Sequence, residues 1–546
     1  MRFMKLWAPA IVGVFVSLSS ASALPVPKLP PEATDKPSIA VRVRPIGELL
    51  KDAAYIAKMV GQEEVFEGVK PGIDPMIECL DLQKAVGFYA KIGPMGVDSH
   101  GVLMLPVKNQ KDFLATLALL NVVATEGQGG LFTMTPPGSP FPVLFRFANG
   151  YVYATVRNTP EAEAGLAPGK LYAPEAIFKQ GDASLFSVTF NVDALPNELK
   201  RKVLTGLEDG VRDVRTDKLA QEKNPLVRAF AETMLEEVAT KVQSLIVDTQ
   251  AVTLRVDLDR VKEDIGLSMN LTPRPNTDLA SELATLGLGK SLGAGLATPT
   301  SMISLFGNAA VPASMKKALE PLIDDFVAQG WKKAKAEEQP FAKELLELLA
   351  PTLKAGILDF GADFRGPTAN DNAAMVVIVA VKEADKLEAL VRKVYGVLPE
   401  NEKKDIKLDV DKAGTVAVHV FTIKDRQDEN DIFGAGAKGA VAFRKDAVVF
   451  AIGPVADAIA AVKSGLETTP KSGPVMEGVA AIRRFAPVME KKDPGSVAAA
   501  KKAYPPGIND EYRVTVTGGQ SLDVRFTSSA RIIQFGMLLE QARRNR

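Results

Sequence analysis

Proton transfer at neutral pH usually falls to histidine, and this chain holds two, His100 and His419. His419 lies in TVAVHVFT (415–422), where alternation places it on one strand face with Ala417 and Phe421. That position reads as structural. His100, in GVDSHGVLM, sits in a turn ahead of a strand and reads as solvated. Two isolated histidines and one cysteine, Cys79, cannot assemble a zinc site of the usual composition. Cys79 has apolar neighbours in MIECLDL and reads as a buried, inert thiol.

The short motifs fare no better. GKSLG (289–293) matches the G-x-S-x-G pattern of a serine hydrolase, with His419 downstream. That chemistry needs Ser291 on a sharp turn from a strand into a helix, beside an oxyanion hole. Here the preceding LASELATLGL reads as a helix, and no HGGG-like segment is present. The GK[ST] end of a phosphate loop also falls on Gly289-Lys290-Ser291, but its leading glycine position holds Ala284. DFG (359–361) and the S-x-x-K pair Ser314/Lys317 lack companion motifs. KDRQDENDIFG (424–434) gathers Asp425, Asp428, Glu429 and Asp431 in a spacing that misses the EF-hand pattern, and reads as a solvated loop. No residue is assigned a catalytic, cofactor-binding or metal-ligating role, and the chain is expected not to be an enzyme.

The elements that would position any site are clearer. VVIVAVKEADKLEALVRKV (376–394) reads as a strand, a polar bend and a helix. The same order recurs at 103–120, 266–286 and 448–462. In the helical parts Phe113/Leu117/Leu120, Leu279/Leu283/Leu286, Leu387/Val391/Val394 and Val455/Ile459/Val462 all fall at i, i+4, i+7, which aligns three apolar side chains on one helix face. A longer alignment sets SLFSVTFNVDALPNELKRKVL (184–204) against SMISLFGNAAVPASMKKAL (301–319), then NPLVRAFAETML (224–235) against QPFAKELLELLA (339–350). RVTVTGGQSLDVRF (513–526) reads as a hairpin pairing Val516 with Leu522 and Val514 with Val524 across the loop Gly518-Gly519-Gln520. The expected class is α+β: antiparallel sheets covered on one face by amphipathic helices, internally repeated, in two related halves.

The N-terminus has the pattern of an export signal: basic Arg2 and Lys5, an apolar run, then Ala21 and Ala23 before a cleavage point. Residues 24–37 hold five prolines and read as an extended spacer. Four α+β units are expected after it, at 38–182, 183–295, 296–400 and 401–546, the third related to the second. Lys plus Arg and Asp plus Glu each number 66, so the balanced charge excludes the concentrated basic surface of a nucleic-acid binder. No later stretch reads as a membrane span.

In its repeated strand–bend–helix units, such as SVTFNVDALP (187–196) and AVRVRPIGEL (40–49), the chain resembles uncharacterised exported bacterial proteins. The resemblance implies no activity. The leading expectation is an exported, non-catalytic scaffold with an unknown protein partner. The alternative is a carrier holding an apolar ligand between sheet and helices, and a serine hydrolase through Ser291 or His419 ranks last. No cofactor is expected.

Overall fold

The computed structural model describes residues 27–545, apart from Pro137, Asn158, Gln180, 367–371 and 424–431. The export segment and the acidic run from Asp425 to Asp431 lie outside the described residues.

The chain opens with β1 (Ile39–Val43), helices α1 (Ile46–Met59) and α2 (Glu63–Ile77), and the pair β2 (Val86–Lys91) and β3 (His100–Pro106). Helix α3 (Gln110–Leu119) leads to β4 (Ala124–Glu126), β5 (Leu131–Met134), β6 (Val143–Ala148) and β7 (Tyr151–Val156). Short helices α4 (Pro160–Gly165) and α5 (Pro174–Ile177) precede β8 (Phe186–Phe190). Two long helices follow, α6 (Asn197–Asp217) and α7 (Pro225–Val247), then β9 (Thr249–Asp259), β10 (Asp264–Pro273) and α8 (Asp278–Leu286).

After β11 (Lys290–Ser291) comes β12 (Ser301–Ala310), then α9 (Ala313–Gln329), α10 (Gln339–Ala355), β13 (Ile357–Arg365) and β14 (Ala374–Ala380). Helices α11 (Ala384–Val397) and α12 (Glu400–Lys403) lead to β15 (Ile406–Ala413), β16 (Val416–Thr422), β17 (Lys438–Arg444) and β18 (Ala447–Gly453). The chain ends with α13 (Val455–Leu466), β19 (Lys471–Ser472), β20 (Met476–Ala481), α14 (Ile482–Glu490), α15 (Ser496–Ala503), β21 (Glu511–Thr517), β22 (Leu522–Ser529) and α16 (Ile532–Arg544). The helix starts carry the residues that satisfy orphan N–H groups: Asn109, Thr159, Asn224 and Thr277 each cap one, and Pro225 follows Asn224.

Among the described residues twenty strands form one antiparallel sheet instead of several. Its spatial order is β4-β5-β6-β7-β3-β2-β1-β8-β9-β10, then β22-β21-β20-β12-β13-β14-β18-β17-β16-β15. On either side of the β10–β22 pair the connectivity is the same, strand by strand. Shared connectivity is a matter of topology, and residue-by-residue repetition does not follow from it. The sheet runs without a break through the unit boundaries expected near 182, 295 and 400. Its two outer edges are poor templates for further pairing, since β4 has three residues and β15 is bulged between Lys407 and Asp411.

The flanks of the sheet are covered on both faces, not one. Around β3, β6 and β7, one face packs Cys79, Phe113, Phe132, Phe145 and Val152. The other packs Tyr89, Val102, Met104, Tyr153 and Leu166. At the opposite flank α13 lies on Val376, Ile378, Val449 and Ala451, while α11 covers the reverse side at Val379, Phe443 and Val448.

Two local expectations need correction. Residues 27–37 lack regular secondary structure, as expected of a spacer, but they are docked instead of free. The Ala33 N–H donates to Asp193 O at 3.0 Å, and the Asn197 N–H donates to Glu32 Oε1 at 2.6 Å. Glu32 thereby caps α6 from a distant segment, because Pro196 at the cap position offers no side-chain acceptor. The terminal hairpin is shifted by two residues from the expected register, with Val516 opposite Val524 and Val514 opposite Phe526. Its turn is gripped by α8: Gly519 N–H donates to Leu283 O at 2.7 Å, and a Cβ at Gly518 would stand 2.7 Å from that oxygen. A shift of two preserves the apolar face, so alternation alone could not distinguish the two registers.

Candidate functional site

Among the described residues, two of the sequence motifs meet in one turn. Ser291 is buried and donates to Asp359 Oδ1 at 2.6 Å, while Asp359 Oδ2 accepts the Leu292 N–H at 3.0 Å. The DFG aspartate thus serves the G-x-S-x-G serine, and both stabilise a turn. The glycine of that turn is steric: a Cβ on Gly293 would lie 2.3 Å from Phe360 O and 2.7 Å from Gly361 Cα. Ser314 bonds to Glu237 on α7, away from Lys317. Cys79 is buried, as read.

His419 is also buried and belongs to a four-residue cluster. Its Nδ1 accepts the Asp409 backbone N–H at 3.2 Å, and its Nε2 lies 3.5 Å from Glu388 Oε1. Arg392 donates to Asp409 through both terminal nitrogens, at 2.8 and 2.6 Å, and to Glu388 Oε1 at 2.6 Å. Glu388, Asp409 and His419 bring potential ligand atoms within 4.8 Å of one another. The donor set does not suit a metal ion. An Nδ1 that accepts a hydrogen bond leaves the neutral ring's proton on Nε2, and Arg392 occupies both carboxylates. Hydrogen bonding to Arg392 holds the Asp409 carboxyl below its ordinary pKa.

His100, expected in solvent, opens β3 and packs against α4, where a Cβ on Gly165 would meet its ring at 2.6 Å. Burial lowers the pKa of both histidines, and at His419 it outweighs the opposing pull of Glu388. The unfolded chain therefore takes up protons near pH 6.5 where the folded chain does not. This contribution to stability is complete above about pH 6.5 and declines as the pH falls through that value. Urea midpoints should drop between about pH 7.5 and 5.5, and His419→Phe should flatten that slope. An unchanged slope in the variant would refute the assignment.

A different feature stands out in the middle of the sheet. Register aligns Phe186, Val256, Leu267, Phe526 and Val514 in one row across β8, β9, β10, β22 and β21. A second row holds Val188, Leu254, Met269, Val524 and Val516, and a third holds Phe190, Val252, Leu271 and Leu522. The reverse face carries Ser187, Arg255, Ser268, Arg525 and Thr515, with Thr189, Thr253, Asn270 and Asp523. Such alternation ordinarily turns the apolar side inward. On β8 and β9 the order is reversed: Phe190 is 42% exposed and Leu254 38%, while Ser187 and Thr253 are 7% and 6% exposed; on β10 Leu267 is 51% exposed.

The inversion has a local cause. The segment between α4 and β8 folds over the polar side, laying the Phe178 ring on Gly87, where a Cβ would be 2.5 Å away. It also brings Ser184 O to Arg42 Nη1 at 2.8 Å. The long helices leave Phe186, Phe190, Leu254 and Leu267 exposed on the other side, although α7 reaches β9. They pack on one another, α6 on α7, α7 on α9 and α9 on α10, and α10 and α11 continue to β17.

No family model and no curated protein matches this chain. Among solved structures it is similar to two crystal forms of TP0453, form IV and form III, each at 10% identity. They cover 47% and 48% of this chain and 86% and 89% of theirs, with a TM-score of 0.22 in both cases. Overlap at that level supports no further argument, and the site is read from its own geometry.

Two cavities lie elsewhere on the protein. One of about 710 Å³ lies on the polar side by Ser304, Glu477 and Arg513. Its arginines already have carboxylate partners: Arg513 with Glu477 and Glu511 at 2.9 Å, Arg483 with Asp510 at 3.4 Å, and Arg484 with Glu511 at 3.6 Å. The other, about 370 Å³, is apolar and lies between α10, α11 and β15, lined by Phe341, Leu345, Val391, Val394, Tyr395 and Ile406. Among the described residues no helix is long and apolar enough to cross a membrane. The sequence reading missed the open face. AVTLRVDLDRVKEDIGLSMNLT (251–272) reads from sequence as a pair of strands with a charged connection, but the sequence does not say which side would be covered.

Proposed function

We propose that this protein is an exported, non-catalytic binding protein that holds an extended apolar chain, of the acyl type, on the open face of β8, β9, β10, β22 and β21. The observation that supports the reading is the inverted burial of β8 and β9, with phenylalanine and leucine outward and serine and threonine inward, beside the exposed Leu267 of β10. Each of these half-exposed apolar side chains forgoes roughly 0.6–1.5 kcal/mol of burial. A contiguous apolar surface on a folded chain commonly marks a binding site. The scaffold reading would use the same surface for a protein. The acyl reading is favoured because the rows run in register along a smooth sheet.

The test is titration of purified, detergent-extracted protein with a fluorescent dodecanoate analogue, alongside its sedimentation behaviour. Saturable binding by a monomer, displaced by unlabelled dodecanoate, is the expected result. Absence of chain binding, or self-association through the face, would overturn the reading.

A further inference from the structure

The rows of the open face end, at the Phe190–Val252–Leu271 side, beside a group of donors without acceptors. Lys200, in the first turns of α6, is 2% exposed, and its Nζ has no hydrogen-bond partner. Arg274 follows directly on β10; its backbone N–H donates to Asp248 O, but its Nε and Nη2 are buried and unpartnered. Thr249, the register partner of Pro273 next to Arg274, is 2% exposed with its Oγ1 also unpartnered. Burial first, and then the charge of the neighbouring Arg274, lowers the Lys200 pKa.

Two carboxylates stand near Lys200, Asp193 and Glu32, and each has another partner. Asp193 Oδ2 pairs with Lys36 at 2.6 Å, and its Oδ1 accepts no hydrogen bond. Glu32 Oε1 caps α6. Burying two like charges with idle donors is costly. An anion placed between them would accept from both and offset that cost.

We propose that Lys200, Arg274 and Thr249 bind the anionic head, carboxylate or phosphate, of the ligand whose chain lies on the row Phe190–Val252–Leu271. This assignment rests on the acyl-chain reading, and the charge complementarity selects an anionic amphiphile as the occupant.

The experiment is calorimetric titration of the full chain with dodecanoate, dodecyl phosphate, dodecanol and inorganic phosphate. Both anionic amphiphiles should bind at least about tenfold more tightly than dodecanol, since a charged hydrogen bond is a substantial fraction of binding energy. Lys200→Met should remove that preference and leave dodecanol binding unchanged; Arg274→Gln should do the same and serves if Lys200→Met fails to fold. Equal affinity for charged and neutral chains in the wild type would overturn the head-group site while leaving the chain-binding reading intact. Failure of every chain to bind would overturn both. Inorganic phosphate binding as tightly as dodecyl phosphate would overturn the amphiphile assignment in favour of a free-anion site.

Discussion

Leu254→Glu combined with Leu267→Glu will weaken dodecanoate binding by about 100-fold or more and leave the urea midpoint almost unchanged. Each leucine has about half of its side chain left to bury against the ligand, worth roughly 0.6–1.5 kcal/mol. Every 1.4 kcal/mol lost is a tenfold loss in affinity. A carboxylate at either position adds desolvation and like-charge repulsion against an anionic ligand. Stability should move by no more than about 0.5 kcal/mol per site, because both side chains are already substantially exposed. Titration of the double variant, with denaturation as the control, separates the two effects. Undiminished binding would remove the central face from the site. Destabilisation by several kcal/mol would mean that the leucines belong to the core.

Asp52→Ala is the second large effect, and it bears on folding. Asp52 on α1 is 2% exposed and pairs with Arg44 Nη1 at 2.9 Å and Arg260 Nε at 3.0 Å. Arg44 is itself buried, and it also donates to Ala183 O and, at 3.2 Å, to Leu258 O. This network joins β1, α1 and the end of β9, and pins the segment that covers the polar side of the sheet. Arg260 retains Glu48 as a second partner, but removal of Asp52 leaves the Arg44 charge buried without a counter-ion. The expected loss is about 3–5 kcal/mol by urea denaturation, the range for breaking a buried pair by removing one partner. Arg44→Met with Asp52→Leu should recover much of it, since replacing both members with apolar groups is often near neutral. A loss below about 1 kcal/mol for Asp52→Ala would show that Arg44 is hydrated in the folded state.

The structure gave the G-x-S-x-G serine and the DFG aspartate a shared local role in one turn. Ser291 could not be assigned to Asp359 from the sequence, because the two meet only when β11 lies against β13. The i, i+4, i+7 rows held in part, because one helix face is a local property while Leu120, Leu286 and Val455, at helix ends, are exposed. Of those rows, Leu279 and Leu283 on α8 are buried, and so is Leu387 on α11. The hairpin register was misjudged by two residues, since the tie from Gly519 to Leu283 is tertiary and alternation is blind to an even shift.

By itself, the sequence determined the α+β class, the strand–bend–helix order and the division of β9 and β10 into an apolar and a polar side. These are consequences of a period of two or of 3.6 residues, which neighbours in sequence suffice to set. Only the tertiary structure decided that twenty strands join into one sheet, that the polar side of β8 and β9 is the covered one, and that Lys200 and Arg274 come together. Each depends on segments far apart in the chain, such as the stretch before β8 that lays Phe178 on Gly87. A period sorts side chains into two faces, but it contains nothing that says which face another segment will cover.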